Sequence, residues 1–127
     1  MSRLLIDTSV LIDQLGGDPR AADLLVAAVR QGDELWSVTV VRTEILAGMR
    51  QREEAATRRL LDQIHWQEVT VDIADRAGDL ARRYLRSHPG VDTVDYLIAA
   101  ATLALGADLK TCVKHFPMFP KLAPAYA

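Results

Sequence analysis

The sequence predicts an α/β fold: a three-layer sandwich in which a short, mostly parallel sheet is flanked by helices. Short apolar runs alternate along the whole chain with longer segments whose apolar residues recur at helical spacing. Glycine and proline stand at the junctions between them. Hydrophobic residues make up 50% of the 127 residues and charged ones 25%, which suits one well-filled core and a single domain over residues 1–127.

The elements follow in order. Residues 3–6 (RLLI) are a first buried strand. Residues 8–17 (TSVLIDQLGG) read as a short helix, capped by Thr8 or Ser9 and stopped by Gly16 and Gly17. Residues 18–32 form a helix with Asp18 as N-cap, Pro19 in the first turn and Gly32 at the end. ELWSV, residues 34–38, is the second strand, and residues 39–49 (TVVRTEILAGM) are a third helix capped by Thr39. Residues 52–64 suit a charged surface helix whose apolar stripe holds Leu60, Leu61 and Ile64.

The alternation in WQEVTV, residues 66–71, predicts a third strand. Asp72 is expected to cap a helix reaching about Ser87, which HPGV breaks. Residues 92–106 (DTVDYLIAAATLALG) form a long apolar helix ended by Gly106, and ADLKT, residues 107–111, is the fourth strand. Residues 116–127 hold three of the five prolines and are expected to be irregular.

Several classes are disfavoured. Fifteen Lys and Arg against seventeen Asp and Glu give a net charge of −2, so any nucleic-acid contact must rest on local patches. The single cysteine, Cys112, allows no internal disulfide and suits a reducing compartment. The N-terminus MSRLLIDTSV lacks a small-residue cleavage site, and no run approaches the roughly 20 apolar residues of a membrane span. A soluble, cytoplasmic protein is expected.

Three carboxylates stand in unusual places. Asp7 follows the first buried strand directly, where an isolated charge is costly to desolvate. In parallel sheets, functional groups gather at such carboxyl ends. Glu44 has Val40, Val41, Ala47 and Gly48 as its helical neighbours, which predicts an apolar face. Asp95 has Val91, Ile98 and Ala99, and Asp92 lies three residues before it on the same side. Ordinary roles exist for each: Asp7 or Asp92 as a helix cap, Asp95 in a positive first turn, Glu44 paired with Arg42 or Arg50. Acids that converge in a poorly solvated pocket must instead protonate or bind a cation. Oxygen ligands with water in the shell suit Mg²⁺ or Mn²⁺, ions that stabilise a phosphoryl group and generate a nucleophile from water.

LLIDTSVLID, TEILAG, DTVDYLIAAATLALGADL and KHFPMFP, in that order along the chain, resemble the PIN-domain proteins, specifically the VapC-type toxins of bacterial toxin–antitoxin pairs. The resemblance implies a metal-dependent endoribonuclease that cuts RNA and is held inactive by a cognate antitoxin. It carries over an acidic site of Asp7, Glu44 and Asp95, with Asp92 as an auxiliary metal ligand. Thr8, Ser9 and Thr111 are expected to hydrogen-bond these acids, although caps and turns would use them equally well.

One departure stands out. The family commonly has a further Asp or Asn after the last strand, where this chain reads LKTCVKHF and Cys112 takes the place. A thiol is a poor ligand for Mg²⁺. This keeps open an alternative, a catalytically silent PIN fold that binds RNA or a partner. A haloacid-dehalogenase-like phosphatase needs a second acid two residues after the first, and that position is Ser9.

Other residues are assigned structural roles: Trp36 and Trp66 to the core, His65 and His88 to loops, and His115 to packing beside Phe116 and Pro117. The basic runs Arg50, Arg52, Arg58, Arg59 and Arg82, Arg83, Arg86 are expected mainly to be solvated. The helices over 18–32 and 39–49 carry more apolar residues than one core-facing stripe requires. A groove for an amphipathic antitoxin helix, or a homodimer interface, would use the surplus.

Overall fold

The computed structural model describes residues 1–112 and 116–126 of the chain. Four parallel strands form one sheet in the order β3-β2-β1-β4. They are β1 (Arg3–Ile6), β2 (Glu34–Val38), β3 (His65–Gln67) and β4 (Asp108–Lys110). Among the described residues, six helices flank it: α1 (Thr8–Leu15), α2 (Pro19–Arg30), α3 (Thr39–Ala47), α4 (Glu54–Leu61), α5 (Val71–Tyr84) and α6 (Thr93–Leu105). A single 3₁₀ turn, Gln51–Glu53, leads into α4. The α/β sandwich expected from the alternation of elements is the fold observed.

The strand order reverses at β1. Two crossovers step outward from β1 to β2 and β3, and the third returns past both to β4 on the other side. Right-handed connections therefore put α5 and α6 on the opposite face from the earlier helices. The apolar run Leu4, Leu5 and Ile6 lies in the middle of the sheet, paired with β2 and β4 and buried on both faces. The most apolar helix, α6, buries Tyr96 and the run from Ile98 to Thr102. A left-handed glycine, Gly106 at φ +60°, ends that helix as expected.

Several local expectations are corrected. The cap of α1 is Asp7 itself, whose carboxylate accepts the Thr8 N–H, and not Thr8 or Ser9. Thr39 is the first residue of α3, behind Val38, which offers no side-chain cap. The third strand stops at Gln67. Thr70, and not Asp72, caps the following helix by accepting the Ile73 N–H, and α5 ends at Tyr84. The alternating residues after Gln67 are thus a connection and a helix start, because a good Ser/Thr cap overrides a weak strand pattern.

His65 is a strand residue stacked on Trp36 at 5.0 Å. Both tryptophans are half-buried sheet residues rather than core. His115 lies outside the described residues.

Candidate active site

Asp7 follows the last residue of β1, and its backbone N–H continues the sheet by donating to the Lys110 carbonyl at 3.0 Å. That bond fixes the main chain from which the carboxylate projects. The side chain is 4% exposed and fully engaged. Oδ1 accepts the Thr8 N–H at 2.7 Å, and Oδ2 accepts the Thr111 hydroxyl at 2.6 Å, with Ser9 Oγ at 3.4 Å. Ser9 Oγ in turn accepts the Cys112 N–H at 3.0 Å. Thr111 and Ser9 thus clamp Asp7 from two elements that are about a hundred residues apart in sequence.

Helix α1 presents two different faces, each defined by i, i+4 spacing. Thr8 and Ile12 look toward α3, where the Thr8 hydroxyl donates to Glu44 Oε1 at 2.7 Å. Ser9 and Asp13 look toward the end of β4 and the C-terminal segment. Asp13, which nothing in the sequence sets apart, accepts a short hydrogen bond from the Tyr126 hydroxyl, and the Cys112 thiol lies 3.6 Å from the same oxygen. The Arg20 guanidinium sits over the Tyr126 ring, and Ala125 N–H donates to the Thr111 carbonyl. The tail is therefore tied back onto Thr111, the residue that follows β4. The only local signal for this was the second Asp of RLLIDTSVLID, which is indistinguishable in sequence from a solvated helix residue.

Glu44 departs from expectation. On α3 the buried positions are Val41 and Ile45, and Glu44 is exposed at the rim beside them. It makes no ion pair with Arg42 or Arg50; Arg42 packs over Trp66 instead. Asp92 and Asp95 form a capping box at the start of α6. Asp92 Oδ1 accepts the Asp95 N–H at 3.1 Å, and Asp95 Oδ2 accepts the Asp92 N–H at 3.2 Å. The capping role considered for Asp92 is therefore real.

These elements enclose one cavity of about 260 Å³, bordered by Asp7, Thr8, Ser9, Glu44, Asp92 and Asp95, with Ile12, Val94 and Ile98 as apolar walls. Among the described residues, no cation and no histidine lines it. Cys112 lies outside it and takes no part in the acidic wall. Burial raises the Asp95 carboxyl pKa to about 6; the Asp92 N–H opposes this, and the charges of Asp92, Asp7 and Glu44 add to it.

A cation fits the oxygen-rich wall, but not as a ready-made cage. Among the described residues, no three His, Cys, Asp or Glu side chains stand close enough to form a preassembled ligand set. An ion held by one or two carboxylates, with water completing its shell, matches what the cavity offers.

A model of the PIN domain matches residues 4–117. The chain is 50% identical over 123 residues to Ribonuclease VapC19 of Mycobacterium tuberculosis, covering 96% of this chain and 98% of that protein. It is 44% identical over 126 residues to Ribonuclease VapC10 of the same organism, covering 98% and 93%. Two solved structures share the fold. A toxin–antitoxin complex from Klebsiella pneumoniae superposes with a TM-score of 0.80 at 24% identity, covering 97% and 98% of the two chains. VapBC2 from Rickettsia felis, bound to a promoter DNA fragment, gives 0.82 at 15% identity and covers 96% of each.

Proposed function

The chain belongs to the PIN-domain family, and on that premise we propose that it is a metal-dependent endoribonuclease, the toxin of a toxin–antitoxin pair. The observation that carries the chemistry is a cavity that gathers Asp7, Glu44 and Asp95 with no cation among the described residues in its lining. The ribonuclease names of its half-identical relatives favour an enzyme over the silent module that Cys112 had kept open. The thiol's position outside the cavity agrees with that, because it displaces none of the three acids.

Asp7 and Asp95 would hold Mg²⁺ or Mn²⁺, with Glu44 joining directly or through water and Asp92 adding charge from the cap. When bound, the cation supplies Lewis acidity toward the phosphate and acidifies water. The chain's own part is positioning. Asp7 cannot swing, because both oxygens are held by Thr8 and Thr111. Thr8 aims Glu44 back across the cavity mouth. Val94 and Ile98 give the cavity an apolar wall opposite the acids' charge. Among the described residues of the cavity, no hydroxyl is paired with an imidazole base, and water is the nucleophile that fits this reading.

The partner surface follows from the surplus apolar residues noted on α2. A cavity of about 540 Å³ runs between α1, α2 and α4, with Leu15, Leu25 and Leu60 in its walls. Val26 and Val29 stand 48% and 58% exposed beside it, and Arg30 and Arg59 border it. An apolar groove rimmed by cations suits an amphipathic antitoxin helix with acidic flanks. Self-association through the same apolar surface would give the expected homodimer. Among the described residues, no helix is long and apolar enough to cross a membrane.

The deciding experiment incubates purified, partner-free protein with a transfer-RNA pool in Mg²⁺, Mn²⁺ or EDTA. Cleavage in either metal that EDTA abolishes is the expected result; cleavage indifferent to EDTA would overturn the metal-dependent reading.

Metal affinity should also depend on pH with a defined sign. Asp95 binds a cation only when ionised, and its carboxyl is half-protonated near pH 6. Calorimetric titration should therefore show Mn²⁺ affinity flat above neutrality and falling toward tenfold per unit as the pH drops below about 6. For the metal-free protein the sign is opposite: with the folded pKa raised, Asp95's contribution to stability is present below the unfolded value of 3.8 and lost as pH rises through about 6. Half-exposure keeps that contribution small.

A further inference from the structure

A second hollow of about 260 Å³ adjoins the acidic cavity and shares two of its walls, Ile12 and Glu44. It is mostly apolar, lined by Ile45 and Met49 among others, and Glu53 stands at its edge. Ile12 is 56% exposed, a large aliphatic side chain left in solvent between the two spaces. The hollow is smaller than the roughly 300–1,000 Å³ of drug-sized ligand sites, so it suits a single ring system and not a helix.

We propose that this hollow receives the nucleobase flanking the scissile phosphate, and that Glu53 selects guanine there. The proposal rests on the nuclease reading above. A phosphate placed among Asp7, Glu44 and Asp95 leaves its neighbouring base across the shared wall, where flat apolar surfaces accept unstacked bases. Glu53 Oε1 already accepts the Arg50 N–H at 2.9 Å, which fixes the carboxylate at the pocket edge. A carboxylate is acceptor-only. Guanine presents two adjacent N–H donors on its Watson–Crick edge, whereas uracil presents one between two carbonyls that the carboxylate repels. Guanine is therefore favoured and uracil disfavoured.

Two variants test this without replacing any acid of the cavity. Glu53→Gln keeps the Arg50 cap, since glutamine serves equally in that position, but removes the charge. Gly48 has φ −90°, and a Cβ there would meet only ordinary contact at 3.8 Å from the Glu44 carbonyl, so Gly48→Leu fills the hollow without backbone strain. All three proteins are given single-stranded RNA randomised around one position, with Mn²⁺, and the products are sequenced.

The wild type is expected to enrich guanine at one nucleotide next to the cut. Glu53→Gln should lower that enrichment about tenfold, and Gly48→Leu should erase it and slow cleavage. A wild type that favours uracil, or shows no flanking preference, overturns the subsite. Preferences unchanged in both variants overturn it as well, and are what a hollow used only by a protein partner would give. A pool left uncut by wild type overturns the nuclease reading and the subsite with it.

Discussion

Asp7→Asn should abolish metal-dependent RNA cleavage while leaving the fold intact. Asparagine is as good a helix cap as aspartate, so the Thr8 N–H keeps its acceptor. The Thr111 hydroxyl can rotate to accept from the new amide instead of donating to Oδ2. What disappears is the charge at the head of the cavity. Even outer-shell partners of a metal ligand contribute roughly 10–100-fold, so loss of a direct ligand should cost at least about a hundredfold in kcat/KM.

Asp95→Asn should lose activity similarly, yet with a different thermal signature. Its amide oxygen can still accept the Asp92 N–H, and the substitution removes a carboxylate that burial and its neighbours' charges resist ionising. Its metal-free melting temperature should hold or rise at neutral pH. The double variant should fall no further than the singles, because residues that act as one unit are not additive. Cleavage assays and differential scanning fluorimetry on the same preparations read both quantities. Activity that survives either single substitution would remove that acid from the site.

Leu5→Ala should be the most damaging of the simple core truncations. Leu5 is 0% exposed on the strand that pairs with both β2 and β4. Deleting its side chain leaves a cavity where the sheet can least collapse, at a cost of about 2–5 kcal/mol. Against a typical total of roughly 5–15 kcal/mol, that is a large share of the stability. Leu103→Ala on the exposed side of α6 is the control and should shift stability by no more than about 0.5 kcal/mol. Urea denaturation measures both. Equal effects would mean that the packing of β1 is not what holds the sheet.

The two predictions meet at one place in the chain. Asp7 comes two residues after Leu5, and its backbone is an extension of the ladder that Leu5 packs. A softened β1 should therefore also raise KM for metal before unfolding is visible. The core and the site share a strand, and the rigidity of one is the precision of the other.

The sequence by itself determined the alternation of elements, the ends of α2 and α6, the first two strands, and the acids Asp7 and Asp95 as a charge problem needing a solution. Those signals are local: a cap, a glycine, a periodicity or a misplaced carboxylate lies within a few residues of what it specifies. They failed where two local signals competed, as between the strand-like alternation of WQEVTV and the Thr70 cap within it, and where the helical wheel misjudged Glu44, which rims the cavity from an exposed position.

Only the tertiary structure decided the rest. The Thr111 clamp on Asp7, the Ser9 bond to Cys112, the Tyr126 tie to Asp13 and the hollow behind Ile12 all join residues from distant parts of the chain. A hydroxyl or a thiol carries no mark in sequence of the partner it will meet. The reversal of strand order at β1 places β4 and the C-terminal tail beside the strand end that carries the Asp7 carboxylate, where Thr111 can reach it.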